Sequence, residues 1–372
     1  MCHEYHRLVM TSDSQAKLFK VEKCLRDGSY SDIFKVVSYA DDGSKEIYAM
    51  KRFKLWSRNA VYCALHEHSI YRRLASQRTH NLFLTSMYYS TFQNGNPLLF
   101  INMGSGYDLS DLLRCRNRLD QYDVEFYCSE IICALEHLHR LDIVHLDVKP
   151  ENILLTNSGH VMLTDFDCAF DSRLNKGRPQ PVDFRGTIDY MAPEIRTRRE
   201  ITFKADIFSL GVTLARMVLG YVPQYEIQRT SESIQFSWRS ITPGHDYQPF
   251  CDFLDGCLDF EPRNRHSLPE IKRLPVFKNV KWEEDAMIRR KPPHEPWMLR
   301  YFLESSNSPS KSHHKFNHVR INFDECRSAT MPADHAIYSG NISSGLIDAL
   351  RSTFKYCHHR PISKSKGMKP VK

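Results

Sequence analysis

The chain has 372 residues, 41% apolar and 26% charged, with a formal net charge of +7, a mix that suits a globular protein of two domains with a large core. Its apolar runs fall far short of the roughly 20 residues that span a bilayer, and the opening MCHEYHRLVMTSDSQ has no apolar signal-peptide core. The eleven cysteines are scattered without a CxxC pair, which predicts reduced thiols and a cytoplasmic or nuclear protein.

The first predicted elements are strands. A strand–turn–strand pattern surrounds Gly28, with IFKVVSY as its return strand, and EIYAMKRF at 46–53 follows with aromatic and apolar residues throughout. Residues 59–77 predict a helix, with Val61, Ala64, Leu65, Tyr71 and Leu74 at helical spacing. Strand-like stretches at 83–92 and 98–101 come next, separated by the turn signal QNGN. From Asp120 the pattern turns helical, with Val124, Tyr127, Ile131, Leu135 and Leu138 on one face. ILLT and HVMLT predict two short strands joined at Asn157-Ser158-Gly159. Residues 205–219 are apolar nearly all round, as in a helix buried on all sides. After about 305, Ser, His, Lys and Asn dominate and periodicity fades. The positive charge collects at the end: after Asp348 stand seven Lys or Arg and no acid, leaving the rest near neutral. That tail predicts a flexible, solvated end able to meet an acidic partner, with nucleic acid the weaker reading.

The chemistry concentrates in HLDVKPEN at 145–152. Phosphoryl transfer needs a carboxylate near the incoming hydroxyl, a cation near the phosphate, and a metal ligand, all held rigidly. Asp147, Lys149 and Asn152 supply these groups. Eighteen residues past Asp147, directly after a predicted strand, stands Asp165 in LTDFD, a carboxylate suited to Mg²⁺ on ATP phosphates. Lys51 lies in the strand YAMKRF, and Glu67 lies on the core-facing stripe of the next helix. A buried acid without a partner costs several kcal/mol, so Lys51 is its expected counter-ion.

From about 18 to 280 the chain resembles a protein kinase catalytic domain: glycine loop, strand lysine, helix glutamate, catalytic loop, DF-x motif, GTIDYMAPE at 186–194, KADIFSLG at 204–211 and EPRNR at 261–265. The runs HNLFLTSMYYSTFQ, DVEFYCSEIICALEHLH and IVHLDVKPENILLTNSGHVMLTDF are similar to protein kinases A and C, of the AGC group. KNVKWEEDAMIRRKPPHEP and NFDE at 322–325 resemble that group's C-terminal extension. The resemblance implies a bilobal α+β fold, with an N-lobe at about 18–101 and a C-lobe at about 105–280. Around them it implies an N-terminal extension at 1–17, an AGC-like extension at 281–330, and the basic tail at 331–372. It implies serine/threonine phosphorylation of protein substrates with ATP and Mg²⁺: Asp147 and Lys149 catalytic, Asn152 and Asp165 on metal. ATP binding would fall to Gly28, Ile33, Lys51, Glu67, gatekeeper Ile101, hinge residues Asn102 and Gly104, and Asp108 at the ribose. It also implies that Asp206 ties down the catalytic loop, that Arg265 pairs with Glu194, and that Phe323 approaches adenine as the extension wraps onto the small lobe. Asp108 and Glu151 would favour arginine-rich substrates.

Several positions depart from the pattern. The glycine loop LRDGSYSDI keeps only Gly28, with Arg26 and Ser31 at the other glycine positions. The metal-binding motif reads Asp165-Phe166-Asp167. Leu146 replaces the arginine that receives an activation-loop phosphate, and the acceptor position holds Asp183, expected to substitute in part for the phosphate charge. No distal FxxF motif stands out in the tail. These losses make a pseudokinase scaffold the rival reading. His313-His314 and His358-His359 lack zinc-ligand spacing.

Overall fold

The computed structural model describes residues 7–11, 16–28, 30–40, 42–77, 80–174, 179–223, 249–305, 344–354 and 357–358. They fall into two units, one drawn from 1–80, 86–103 and 308–372 and the other from 81–85 and 104–307. Among the described residues, no helix is long and apolar enough to cross a membrane.

The first unit is built on an antiparallel sheet. Its strands are β1 (Arg7–Thr11), β2 (Ala16–Asp27), β3 (Ser31–Tyr39), β4 (Lys45–Phe53), β5 (Met87–Gln93), β6 (Asn96–Asn102) and β11 (Cys357–His358). Their order is β1-β2-β3-β4-β6-β5-β11. Successive side chains of a strand point to opposite faces. One face carries Phe19, Phe34, Val36, Tyr48, Met50, Tyr89, Leu98 and Phe100 as a closed apolar cluster. Its rings meet edge-on or tilted, as with Phe19 and Phe100 at 4.4 Å and Tyr48 and Tyr89 at 5.7 Å. The alternate residues of β4, Ala49, Lys51 and Phe53, belong to the opposite face. There α1 (Arg58–Ala75) packs against β4 and β5. Ser57 caps α1 by accepting from Ala60 N at 3.2 Å.

The second unit is mainly helical. It contains α2 (Leu109–Arg116), α3 (Gln121–Arg140), α4 (Pro193–Arg196), α5 (Lys204–Leu219), α6 (Cys251–Cys257), α7 (Leu268–Ile271), α8 (Glu284–Met287) and α9 (Pro296–Ser305). α3 and α5 form its centre; α5 is buried almost throughout, as its apolar run predicts. Short strands β7 (Ile143–Val144) and β10 (Phe170–Asp171) pair with each other, as do β8 (Ile153–Leu155) and β9 (Val161–Leu163). β8 and β9 form the hairpin expected around Asn157-Ser158-Gly159, closed by Thr156 N donating to His160 O at 2.7 Å.

Three features differ from the sequence reading. The strand expected from residue 83 starts only at Met87; Asn81 turns the chain before it, its Oδ1 accepting from Phe83 N at 2.9 Å. Leu84 contributes only a single bridge to Leu163. Residues 7–11 of the expected N-terminal extension form a strand of the sheet. Part of the expected flexible tail is also structured: α10 (Ser344–Thr353) packs on α1, and β11 pairs with β5. Leu346, Leu350 and Phe354 recur every four residues there, and Leu350 and Phe354 are buried. Phe354 lies against the rings of His68 at 4.4 Å and Phe53 at 6.4 Å.

Residues 281–305 of the expected extension belong to the second unit. Arg290 lies 4.4 Å over the Phe126 ring and donates to Ser129 Oγ at 2.6 Å, while His294 meets Asp123 at 2.7 Å. α9 packs on α2. Phe323 lies outside the described residues.

Candidate active site

In the first unit, burial of α1 dictates the central pair. Ala60, Ala64, Glu67, Tyr71 and Leu74 lie on one buried stripe, so Glu67 is carried inward by helical spacing alone. Lys51 meets it from the α1-facing side of β4, with Nζ 2.6 Å from Glu67 Oε2 and both side chains nearly fully buried. A pair this dry needs good geometry to offset desolvation, and its short contact supplies that. Ile33 lies opposite Lys51 in the β3–β4 register and opposite Arg26 across β2–β3. Gly28 closes the β2–β3 turn, its N–H donating to Ser31 O at 2.9 Å. A Cβ at Gly28 would lie 2.7 Å from Ser31 O, so only glycine fits. Ile101 is buried between Ala49 and Met87 in the ladder, and Asn102 Oδ1 accepts from Ser86 N at 2.6 Å.

In the second unit the catalytic-loop candidates form one hydrogen-bonded cluster. Asp206, wholly buried in the first turn of α5, accepts from His145 N and Leu146 N, both at 2.8 Å, and meets His139 Nε2 at 2.8 Å. That grip holds Leu146 at φ +64, a conformation costly for a branched side chain. Beyond this bend, Asn152 Nδ2 donates to Asp147 O at 2.9 Å and to Asp147 Oδ2 at 2.8 Å. Lys149 Nζ lies 2.8 Å from Asp147 Oδ2 and also donates to Thr187 Oγ1. Thr187 N donates to Asp147 Oδ1 at 2.8 Å. Burial disfavours the Lys149 ammonium, but Asp147, Asp165 and Glu151 outweigh it and raise its pKa above the ordinary value.

Asp165 follows β9 with φ +68, in the left-handed region that aspartate tolerates. Phe166 beside it is fully buried, its ring 5.4 Å from that of His145, and His145 Nε2 faces Thr164 O at 3.0 Å. Both Nδ2 protons of Asn152 are spent on Asp147, leaving its Oδ1 as the oxygen for a cation. A carboxylate and an amide oxygen are the hard donors Mg²⁺ takes, so the residues present fit that ion.

Of the remaining candidates, Glu194 and Arg265 form a wholly buried two-pronged pair at 2.6 and 2.7 Å. Asp183 is buried and accepts from Gln180 N at 2.6 Å. Asp108 caps α2, its Oδ1 accepting from Asp111 N at 3.0 Å and Ser110 Oγ at 2.7 Å; that cap is a use the ribose expectation did not include. Gly104 lies at the start of a segment whose Ser105 N donates to Leu155 O at 2.8 Å. Sequence reasoning passed over Thr187, His139 and His145. Thr187 stood inside the GTIDYMAPE run, and its two contacts to the catalytic loop were the missing signal.

A buried pair between a strand lysine and a helix glutamate, and an aspartate-clamped loop carrying Asp, Lys and Asn, define a protein kinase fold of α+β type. The protein kinase domain family matches residues 19–277. The chain belongs to that family. Ribosomal protein S6 kinase alpha-2 of Mus musculus is 31% identical over 287 residues, 75% of this chain and 38% of that protein. Ribosomal protein S6 kinase alpha-3 of Homo sapiens is 30% identical with the same coverage, and serine/threonine-protein kinase gad8 of Schizosaccharomyces pombe is 29% identical over 79% of this chain and 51% of its own length. The AGC-group resemblance agrees with these relatives. The chain spans between 38% and 51% of the length of these curated relatives.

Proposed function

We propose that the protein is an AGC-type serine/threonine protein kinase that transfers the γ-phosphoryl group of ATP to hydroxyls of protein substrates. The observation that carries this is the loop bearing Asp147, Lys149 and Asn152, bonded through its backbone to Asp206 and met by Thr187. Asp147 orients the substrate hydroxyl and accepts its proton. Lys149, fixed as a cation by neighbouring carboxylates, sits beside the transferring phosphoryl. Lys51, anchored by Glu67, takes the α/β-phosphates. Asn152 Oδ1 and Asp165 would hold Mg²⁺, which when bound neutralises phosphate charge. The protein's contribution is positioning and electrostatics.

Glu151 carries a buried Oε2 without a hydrogen-bond partner. A buried acceptor left unmade is costly, which favours a cationic residue of the substrate as its partner and supports arginine-rich sites. The eleven cysteines are scattered without a CxxC pair, which supports a reducing compartment, cytoplasm or nucleus. In this reading the kinase domain spans 18–280 and an AGC-like extension follows at 281–330.

The test is transfer of radiolabel from [γ-³²P]ATP to a basic peptide carrying Ser, Thr and Tyr, with Mg²⁺ present. Label on Ser or Thr that disappears in Asp165→Ala is the expected result. Binding of ATP with no transfer under any metal would leave only a scaffold and overturn the proposal.

A further inference from the structure

The β2–β3 loop keeps only one of the three expected glycines, yet its hairpin is not loosely held. It is tied to the segment after β4. Lys54 N donates to Tyr30 O at 2.8 Å and Lys54 Nζ donates to Gly28 O at 2.9 Å. The same ammonium lies 2.5 Å from Asp27 Oδ1 and 2.7 Å from Asp32 Oδ1. Trp56 N donates to Lys54 O at 3.0 Å, and its indole stacks on Tyr30 at 5.6 Å with an interplanar angle of 8°.

The charges explain why a lysine is needed. Asp27 and Asp32 face each other across the β2–β3 ladder, and like charges directly opposite are destabilising. Two anions at the mouth of a loop that meets phosphates would also repel the ligand. Lys54 bridges both, and Arg52 pairs with the other oxygen of Asp32 at 2.6 Å. Burial disfavours the Lys54 ammonium, but Asp27 and Asp32 outweigh it and raise its pKa, so it is charged at neutral pH.

We infer that Lys54 and Trp56 are positioning residues for the nucleotide's phosphates. They pin the 26–33 hairpin in its binding-competent shape and neutralise its two acids, in place of the adaptability that extra glycines would give. This rests on the ATP-binding reading above. A pre-organised loop binds without the affinity loss that a fractionally competent one suffers; lowering its competent population to a tenth weakens apparent affinity about tenfold.

The experiment measures equilibrium binding of MgATP and of adenosine to the full chain, for wild type, Lys54→Met, Lys54→Arg and Trp56→Ala. Amide exchange of Gly28 without nucleotide is measured alongside. Lys54→Met and Trp56→Ala each weaken MgATP about tenfold, leave adenosine binding within twofold, and speed exchange at Gly28; Lys54→Arg retains most of the wild-type affinity. Wild-type MgATP affinity in either weakened variant, or equal loss for adenosine and MgATP, overturns the inference. Failure of wild type to bind MgATP overturns the kinase reading instead, and the Gly28 exchange rates then still decide whether the pin exists.

Discussion

Removing Glu194 tests how much of the second unit depends on one buried charge pair. Both side chains are fully buried, and Arg265 also donates to Asp259 O at 2.8 Å, Lys204 O at 2.7 Å and Phe260 O at 3.3 Å. Its guanidinium lies 4.9 Å over the Phe208 ring. Glu194→Ala leaves that cation buried without its counter-ion, which costs about 3–5 kcal/mol. Against a total stability of about 5–15 kcal/mol this is a large loss. Arg265→Met leaves the Glu194 carboxylate buried without its cation, a loss of about the same size. The double variant Glu194→Ala/Arg265→Met carries no orphaned charge, so it should cost less than the sum of the singles by about 2 kcal/mol or more. Urea unfolding followed by circular dichroism measures all four proteins. A cost below about 1 kcal/mol for Glu194→Ala, the size of an exposed pair, would refute the reasoning. So would simple additivity of the two singles.

Asp206→Asn places an amide donor against one of the N–H groups of His145 or Leu146, and should lower kcat on the order of 100-fold through misplacement of Asp147, with ATP affinity little changed; wild-type kcat in a peptide assay contradicts this. Lys149 has a raised pKa, so its stabilising contribution is full below its ordinary value of 10.5 and disappears as pH rises through the folded value. The stability difference between wild type and Lys149→Met should therefore be flat from pH 7 to 10 and change only above it, read by urea titration at each pH. Phe354→Ala removes the ring packed on His68 and Phe53, at a cost of about 3–5 kcal/mol if the site stays closed. Amide exchange along α10 and the facing side of α1 should then accelerate, and unchanged protection there contradicts the packing.

The elements that sequence made legible are those with a single strong constraint. Helical spacing alone placed Glu67 on a buried stripe and so demanded Lys51. The apolar circumference of 205–219 marked α5 as interior. The catalytic loop was legible because Asp147, Lys149 and Asn152 stand within six residues, and the hairpin after it because its turn residues are distinctive. What escaped notice depended on distant partners. β1 is a short run with no alternation to mark its pairing with β2. The spacing of Leu346, Leu350 and Phe354 was present but lay among basic residues, and its meaning needs the surface of α1 that covers it. Thr187 looks like any polar residue until Asp147 and Lys149 come to it from forty and thirty-eight positions away.

The lost motif residues are best understood through what their absence leaves unpaired. An arginine at position 146 without a phosphate partner would bring a cation into a site where Leu146 is now buried, and a buried unpaired charge is far costlier than an apolar side chain. Removing both charge and acceptor avoids that cost, whereas removing one creates it. The geometry of the loop does not rest on the lost side chain. Its bend is fixed through the backbone N–H groups of residues 145 and 146, which bind Asp206 whatever side chain position 146 carries. Asp167 fits the same pattern: its carbonyl accepts from Arg185 Nη2 at 2.5 Å, a main-chain contact available to any residue. At positions 146 and 167 substitution has thus fallen where main-chain bonds carry the shape, while Asp147, Lys149, Asn152 and Asp165, whose side-chain atoms the proposed chemistry needs, are retained.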